Sequence, residues 1–246
     1  MRSAIEFSII CDAAWAPGIE TREAWRNWAR GQLPASADSE PVVRAMPAMQ
    51  RRRLGLLGKM ALEVAYECLG QRQDVPTVFC SRHGEVSRSV ELLRDLAHGE
   101  PLSPTSFGMS VHNAVGGMFS IARGDVANNI ALSGGRGSIE HALIEACGLL
   151  ADGEKAVLLV VYDCPLPAVY ADFQDEDALP FAWAWLIEPP REDVISLSWH
   201  TLSSDHAGDE TPPATSLDVL RFFLRRDPCM ERIYGRQSWR WTRHVS

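Results

Sequence analysis

The side chains able to do chemistry concentrate in one stretch, Asn128 to Asp163, "NNIALSGGRGSIEHALIEACGLLADGEKAVLLVVYD". It reads as strand, sharp glycine turn, helix, tight turn and strand. A turn that opens a helix exposes one side chain at the helix's positive end, where a thiolate or other anion is favoured. The side chains on offer at this turn are Ser133, Arg136 and Ser138. "SGGRGS" lacks the Gly-Lys-Ser/Thr ending of a phosphate-binding loop, and it is not a G-x-G-x-x-G turn with an acid placed to hold a ribose. Nor is it the G-x-S-x-G elbow of hydrolases. Ser133 and Ser138 are conceivable nucleophiles, with His112 or His141 as the base each would need. The commoner role of a serine before a helix is to cap it, and Ser138 fits that role.

Two other groupings have the residue types of a metal site. Glu140, His141, Glu145 and Cys147 share one helix, and Glu145 follows His141 at i+4. The cysteine faces elsewhere on that helix, and its face reads as core. Cys80 and His83 are two ligands without the other two. Neither makes a metal site, and no metal is expected.

The elements that must position the turn follow from periodicity. Ile5–Ile10 reads as a buried strand and Thr21 to Arg30 as a short helix with Thr21 as N-cap. Leu33 to Pro47 is proline-containing and irregular. Residues 48–70 carry Leu54, Leu57, Ala61, Val64 and Cys68 at helical spacings, with Gly70 as the terminal cap. "VPTVFCS" is a strand, and Val86–Ala97 a helix closed by Gly99 and Pro101. "PLSPTSFG" begins as a loop that turns helical near Asn113 and ends at Gly124. Asn129–Leu132 is a strand. "KAVLLVVYD" is apolar throughout, as a central strand covered on both faces must be. "FAWAWLIEPP" and "VISLSWHTL" are two strands with no helix between them, so an antiparallel pair is expected. "SLDVLRFFLRR" is a short amphipathic helix, and Ser203 to Ala214 an exposed linker. The pattern β-α-β-α-β-α-β-β predicts a layered α/β domain over residues 1–202. Residues 203–246 are read as a loop, a short helix and an Arg/Trp-rich arm.

Of the 246 residues 46% are hydrophobic, enough to bury a core. No apolar run is long enough to span a bilayer. The start "MRSAIEFSIICDAAW" is interrupted by acid and makes a poor signal peptide, so cytoplasm is the expected location. The six cysteines form no C-x-x-C pair and read as reduced core thiols. Net charge is −8, yet from Arg221 onward seven arginines face Asp227 and Glu231. A basic tail on an acidic body predicts an acidic partner surface or a tail folded onto its own body. The acidic body argues against nucleic acid.

Residues 107–163, "FGMSVHNAVGGMFSIARGDVANNIALSGGRGSIEHALIEACGLLADGEKAVLLVVYD", resemble the front half of β-ketoacyl synthases of the thiolase fold. The shared features are Asn113 after a short loop, the helix rich in small residues, "ARGDVANN" before a strand, the elbow, the long helix and the closing strand. "LPFAWAWLIEPP" resembles the strand that ends that half. "AWAPGIETREAWRNWARGQ", "RRRLGLLGKMALEVA" and "RQSWRWTRH" are similar to short synthase-like proteins of aryl-polyene and type II polyketide gene sets. The resemblance covers nearly the whole chain, most specifically at the elbow, and implies one half of a thiolase-like fold.

Two departures decide what the resemblance implies. The family's nucleophilic cysteine sits in the elbow, and the matching position here is Arg136. A guanidinium stays protonated and has no lone pair for attack. A cation at the positive end of a helix also costs about 0.3–1 kcal/mol, so an anionic or carbonyl partner for Arg136 is expected. The family's two catalytic histidines belong to a back half with no counterpart here. His83, His98, His112, His141, His200, His206 and His244 stand in other contexts and read as structural. Loss of the nucleophile alone leaves a decarboxylase, as in synthases with glutamine at that position; loss of the histidines removes that too.

The resemblance therefore implies a non-catalytic, chain-length-factor-like subunit in an obligate heterodimer with a full-length ketosynthase. A lone half leaves an apolar face uncovered, which points the same way. In the family the loop matching "TSFGMSVHN" crosses the interface toward the partner's acyl pocket. By that correspondence Phe107, Met109, His112, Asn113 and Met118 line the pocket or interface, with Val86–Ala97 as a second channel wall; the competing reading of Phe107 and Met118 is plain core. No cofactor is expected in this chain, since substrate arrives on the phosphopantetheine of an acyl carrier protein through the partner. "RQSWRWTRH" offers arginines for an acidic carrier, though a strand packing its tryptophans on its own domain is the preferred reading. Two rivals stand beside this: a serine acyl hydrolase or transferase at Ser133 or Ser138, and a carrier-docking scaffold.

Overall fold

A computed structural model describes residues 3–32, 38–174, 179–202 and 215–245. The expected linker Ser203–Ala214 and His206 lie outside the described residues. One eight-stranded sheet organises the molecule, in the order β3-β2-β4-β5-β1-β6-β8-β7. The strands are β1 Ser3–Trp15, β2 Thr77–Cys80, β3 Asn129–Leu132, β4 Val157–Asp163, β5 Phe181–Glu188, β6 Asp193–Thr201, β7 Cys229–Tyr234 and β8 Gln237–Val245. The helices are α1 Arg22–Ala29, α2 Ala48–Arg51, α3 Leu56–Leu69, α4 Val86–His98, α5 Pro104–Gly108, α6 Ala114–Arg123, α7 Ser138–Ala151 and α8 Ser216–Arg225. β3, β2 and β4 are parallel; every other pairing is antiparallel.

Two apolar layers sandwich the strands. Trp25 and Trp28 of α1, Ile139 to Cys147 of α7 and Val219 to Phe222 of α8 pack one face. Leu57 to Leu69 of α3 and Ala114 to Phe119 of α6 pack the other. β5 shows how sequence shapes the layers. Phe181, Trp183, Trp185 and Ile187 point to the α7–α8 side, and Ala182, Ala184 and Leu186 to α3. The alternation is strict, as the period of a strand requires. Small residues let α3 approach closely, while paired indoles fill the deeper layer, Trp183 and Trp185 lying 4.5 Å apart between ring centroids.

Thr21 caps α1 through its hydroxyl, which accepts from Ala24 N at 3.1 Å. Gly70 and Gly99 terminate α3 and α4. β4 is buried along its entire length. Four expectations need correction. β5 and β6 do not pair with each other: β1 lies between them, antiparallel to both, because its thirteen residues reach both neighbours. The segment before Gly70 breaks into α2 and α3, because the turn at Arg52–Gly55 interrupts the helix. The stretch taken as a loop holds α5, nucleated by Pro104 in its first turn and by the Ser103 hydroxyl, which accepts from Ser106 N. The C-terminal segment holds a strand the periodicity did not announce, β7, which pairs with β8 and extends the sheet.

The basic C-terminal region folds onto its own acidic body. Arg226 and Arg243 both reach Asp193, at 3.1 and 2.8 Å, and Arg232 reaches Glu140 at 2.7 Å. Trp239 and Trp241 sit in the core, so "RQSWRWTRH" is a packed strand. No helix among the described residues is long and apolar enough to cross a membrane.

Candidate functional site

The carboxyl ends of the parallel strands β2, β3 and β4 meet at one edge of the sheet, where open α/β folds place their ligands. Two side chains, those of Asp163 and Ser81, converge there with three main-chain N–H groups. The Asp163 carboxylate, at the end of β4, accepts from the Ser81 hydroxyl at 2.8 Å and from the main-chain N–H of Arg82 at 3.0 Å. His83 N approaches the same carboxylate at 3.4 Å. Ser81 Oγ in turn accepts from Gly84 N at 2.7 Å. Burial pushes the Asp163 carboxyl up to about 6, and the hydrogen bonds it accepts hold it from going higher. The only acid at the end of an otherwise apolar strand was its sequence signal; its partners, some eighty residues away, left none.

The elbow opens beside this cluster. β3 ends at Leu132, a single 3-10 turn covers Gly135–Gly137, and α7 begins at Ser138. Gly135 has φ +61°, the left-handed region that glycine enters without the Cβ penalty. Ser138 is not the N-cap; Gly137 is. The Ser138 hydroxyl instead accepts from Gly134 N at 2.9 Å and donates to Gly135 O at 2.7 Å, closing the turn on itself. The Ser133 hydroxyl donates to Arg82 O at 3.0 Å. A hydroxyl has one proton, so each serine gives its proton to a carbonyl and not to an imidazole.

The two nearby histidines are likewise engaged with main chain. His112 Nε2 lies 2.9 Å from Ser81 O, and His141 Nδ1 lies 2.7 Å from Gly137 O. Carbonyls only accept, so both nitrogens are donors here. The His141 ring packs against the elbow, where a Cβ on Gly137 would sit 3.1 Å from it, and stacks edge-on against Trp239 at 5.3 Å. Arg136 stands at the exposed tip of the turn.

The α7 residues Glu140, Glu145 and Cys147 point apart. Glu140 turns inward to Arg232, Cys147 is buried, and Glu145 is exposed. Cys80 is buried in the core beneath the strand ends. Among the described residues, no three His, Cys, Asp or Glu side chains come together to hold a metal.

The pocket and interface candidates separate into two kinds. Met109 and Met118 pack in the α3–α6 core, at 6% and 7% exposure. Phe107, on α5, is 63% exposed; Asn113 is exposed and His112 half-buried. Leu93 and Leu96 of α4, which packs against α5, are exposed as well, as are Leu102 and Val111 in the connections. The second expected wall, Val86–Ala97, is α4 itself, with Val90 and Leu92 buried and Leu93 and Leu96 exposed.

Beneath the elbow lies a feature sequence reading missed. Arg232 and Glu140 form an ion pair at 1% and 0% side-chain exposure. Trp241 Nε1 donates to Glu140 Oε1 at 3.4 Å, and Arg232 donates to Thr215 O at 3.2 Å. The hairpin β7–β8 thereby grips the first turn of α7 from below while Trp239 braces His141 from the side. The partners are 92 residues apart, and no local pattern joins them.

A chain of the complex between the ketosynthase ApeO and its chain length factor ApeC from Xenorhabdus doucetiae superposes with a TM-score of 0.81 at 29% identity. The match covers 97% of this chain and 99% of that one, so the two are of similar length. The ishigamide ketosynthase/chain length factor matches at TM-score 0.64 and 18% identity, over 90% of this chain and 73% of that one. A type II polyketide synthase structure, acyl-carrier protein in complex with its ketosynthase, matches at TM-score 0.58 and 12% identity, over 77% of this chain and 63% of that one. None of the curated proteins matches. The architecture is thus the thiolase-like fold of ketosynthases at half size. The family described as "Beta-ketoacyl synthase, N-terminal domain" matches residues 25–242, and the chain belongs to it.

Proposed function

We propose that this chain is the chain-length-factor-type partner of a ketosynthase and performs no condensation itself. The observation that carries the reading is the elbow. The position offered at the positive end of α7 holds Arg136, and the flanking serines give their protons to main-chain carbonyls. The likeness to a chain of the ApeO–ApeC complex, near-complete in both directions, supports the same reading.

Two surfaces support a protein partner. The first is the apolar ground of Leu93, Leu96, Leu102, Phe107 and Val111 on α4, α5 and their connections. The second is the sheet's outer strand β3, with Ile130 and Leu132 half-buried and Ile121 and Val126 exposed beside it. An outer strand edge and exposed large apolar side chains both invite a second chain. The partner supplies the nucleophile and receives the acyl group from the phosphopantetheine of a carrier protein. Phe107, His112 and Asn113 face the growing chain from this side, and Met109 and Met118 support them from the core. A bulky side chain at Phe107 limits the length of the product.

The test is reconstitution with the cognate ketosynthase, carrier protein and extender units, with products read by mass spectrometry. Phe107→Ala is expected to lengthen the product with pairing intact, and Phe107→Trp to shorten it. Unchanged product lengths in both variants would leave a docking scaffold as the better account. Condensation by this chain alone, abolished by Ser133→Ala or Ser138→Ala, would establish the serine enzyme instead.

A further inference from the structure

β1 carries a bulge. Its register against β5 runs Ile9 to Ile187 and then Cys11 to Leu186, leaving Ile10 as the extra residue. An extra residue inverts the side-chain parity of everything after it. Phe7 and Ile9 accordingly face the α7–α8 layer, whereas Cys11, Ala13 and Trp15 face α3. The bulge thus swings the Cys11 thiol onto α3, where Cys68 waits. Cys68 Sγ donates to Cys11 O at 3.2 Å, so the two cysteines are in direct contact.

The pair is asymmetric in a way that suits chemistry. Cys68 is 1% exposed, Cys11 half-buried. β6 pairs with β1 only over Ser3–Ser8, so among the described residues the second half of β1 borders no strand on that side. Asp12 and Glu67, the chain neighbours of the two cysteines, line a cleft of about 660 Å³ between α1 and the end of α8. Neither cysteine lines that cleft; access to the pair is through Cys11, which is half-buried, whereas Cys68 is sealed in the core. The Cys11 thiol is brought down to about 7, chiefly by the hydrogen bond from Cys68, with Arg22 and Arg72 assisting against burial and Asp12. Cys80, Cys147 and Cys164 are all pushed upward by burial. Thiolate character and access are what select one cysteine for oxidation.

We infer that Cys11 and Cys68 are a peroxide-oxidisable thiol pair, Cys11 the attacking sulfur and Cys68 the resolving one, joined on oxidation into a disulfide that ties β1 to α3. The Cys11 thiolate attacks one oxygen of a hydroperoxide. The O–O bond breaks, the leaving oxygen departs as hydroxide or alkoxide and takes a proton from water, and Cys11 becomes a sulfenic acid. The Cys68 sulfur then attacks the Cys11 sulfur. Its proton leaves with the sulfenic hydroxyl as water, and the S–S bond closes. The two thiols are oxidised by two electrons in all, and the peroxide is reduced by two. This inference stands independently of the proposed pairing with a ketosynthase.

The experiment treats the full chain, with its ketosynthase where the two copurify, with hydrogen peroxide, then denatures it and alkylates the remaining thiols. The expected result is loss of two alkylation sites from the six cysteines, with a peptide linking Cys11 to Cys68, formed at a rate independent of protein concentration. Cys68→Ser should instead accumulate a sulfenic acid at Cys11 that dimedone captures. Cys11→Ser should lose both products, and Cys147→Ser should behave as the parent chain. Circular dichroism on each variant separates loss of reactivity from loss of fold. Retention of all six thiols at doses that oxidise free cysteine would overturn the inference, as would linkage through any other cysteine.

Discussion

Arg136 is the residue on which the functional reading turns, and its neighbours explain how the turn is held. Ser138 holds the glycine turn shut through two hydrogen bonds while itself 3% exposed. Ser138→Ala leaves Gly134 N without that acceptor, and we expect a loss on the order of 1–3 kcal/mol in thermal or urea unfolding. Pairing with a ketosynthase should survive it. Asp163 offers a second test. Its folded carboxyl sits near 6 against an ordinary value of 3.8. The folded state thus binds this proton more tightly than the unfolded one, and the stability it contributes is full below about pH 4 and lost as pH rises through 6. Over that window the wild type should lose up to ~3 kcal/mol relative to Asp163→Asn. Urea midpoints measured for both proteins from pH 4 to 7 check it; parallel profiles would mean that the carboxyl is not displaced.

At the scale of elements, the β7–β8 hairpin locks the helix that carries the elbow. A buried ion pair contributes little net stability compared with apolar residues of similar volume, but leaving one member alone is costly. Arg232→Met should therefore destabilise by about 3–5 kcal/mol, and adding Glu140→Leu should recover most of that loss. Denaturant unfolding of the two single variants and the double closes the cycle. The strands β3 and β4, the helix α7 and the caps at Thr21, Gly70 and Gly99 were legible because each follows from local spacing and local chemistry. The bulge at Ile10, the insertion of β1 between β5 and β6, and the Arg232–Glu140 pair were not, since they arise from which distant segments pair. Neither was Ser138's brace, because capping and closing a turn use the same residue type at neighbouring positions. The elbow itself was visible from its glycines; Asp163 was visible only as an acid at the end of an apolar strand.

At the scale of the molecule, charge and apolar surface point in different directions. The C-terminal arginines that looked available to an acidic partner are partly engaged internally, Arg226 and Arg243 with Asp193 and Arg232 with Glu140. The exposed apolar ground on α4 and α5 is the better guide to what this protein meets. Leu96 and Phe107 are 60% and 63% exposed, so replacing either should hardly disturb the fold. Leu96→Glu together with Phe107→Asp should cut recovery of the co-expressed ketosynthase complex at least tenfold in a pull-down on the tagged ketosynthase, while this chain is still expressed at the parent level. The most direct measurement of the central claim is co-expression with full-length ketosynthases, followed by size-exclusion chromatography with mass analysis beside the chain alone. The account predicts a stable one-to-one complex and a lone chain that aggregates or self-associates through its apolar face. A well-folded monomer that ignores every ketosynthase offered would contradict it.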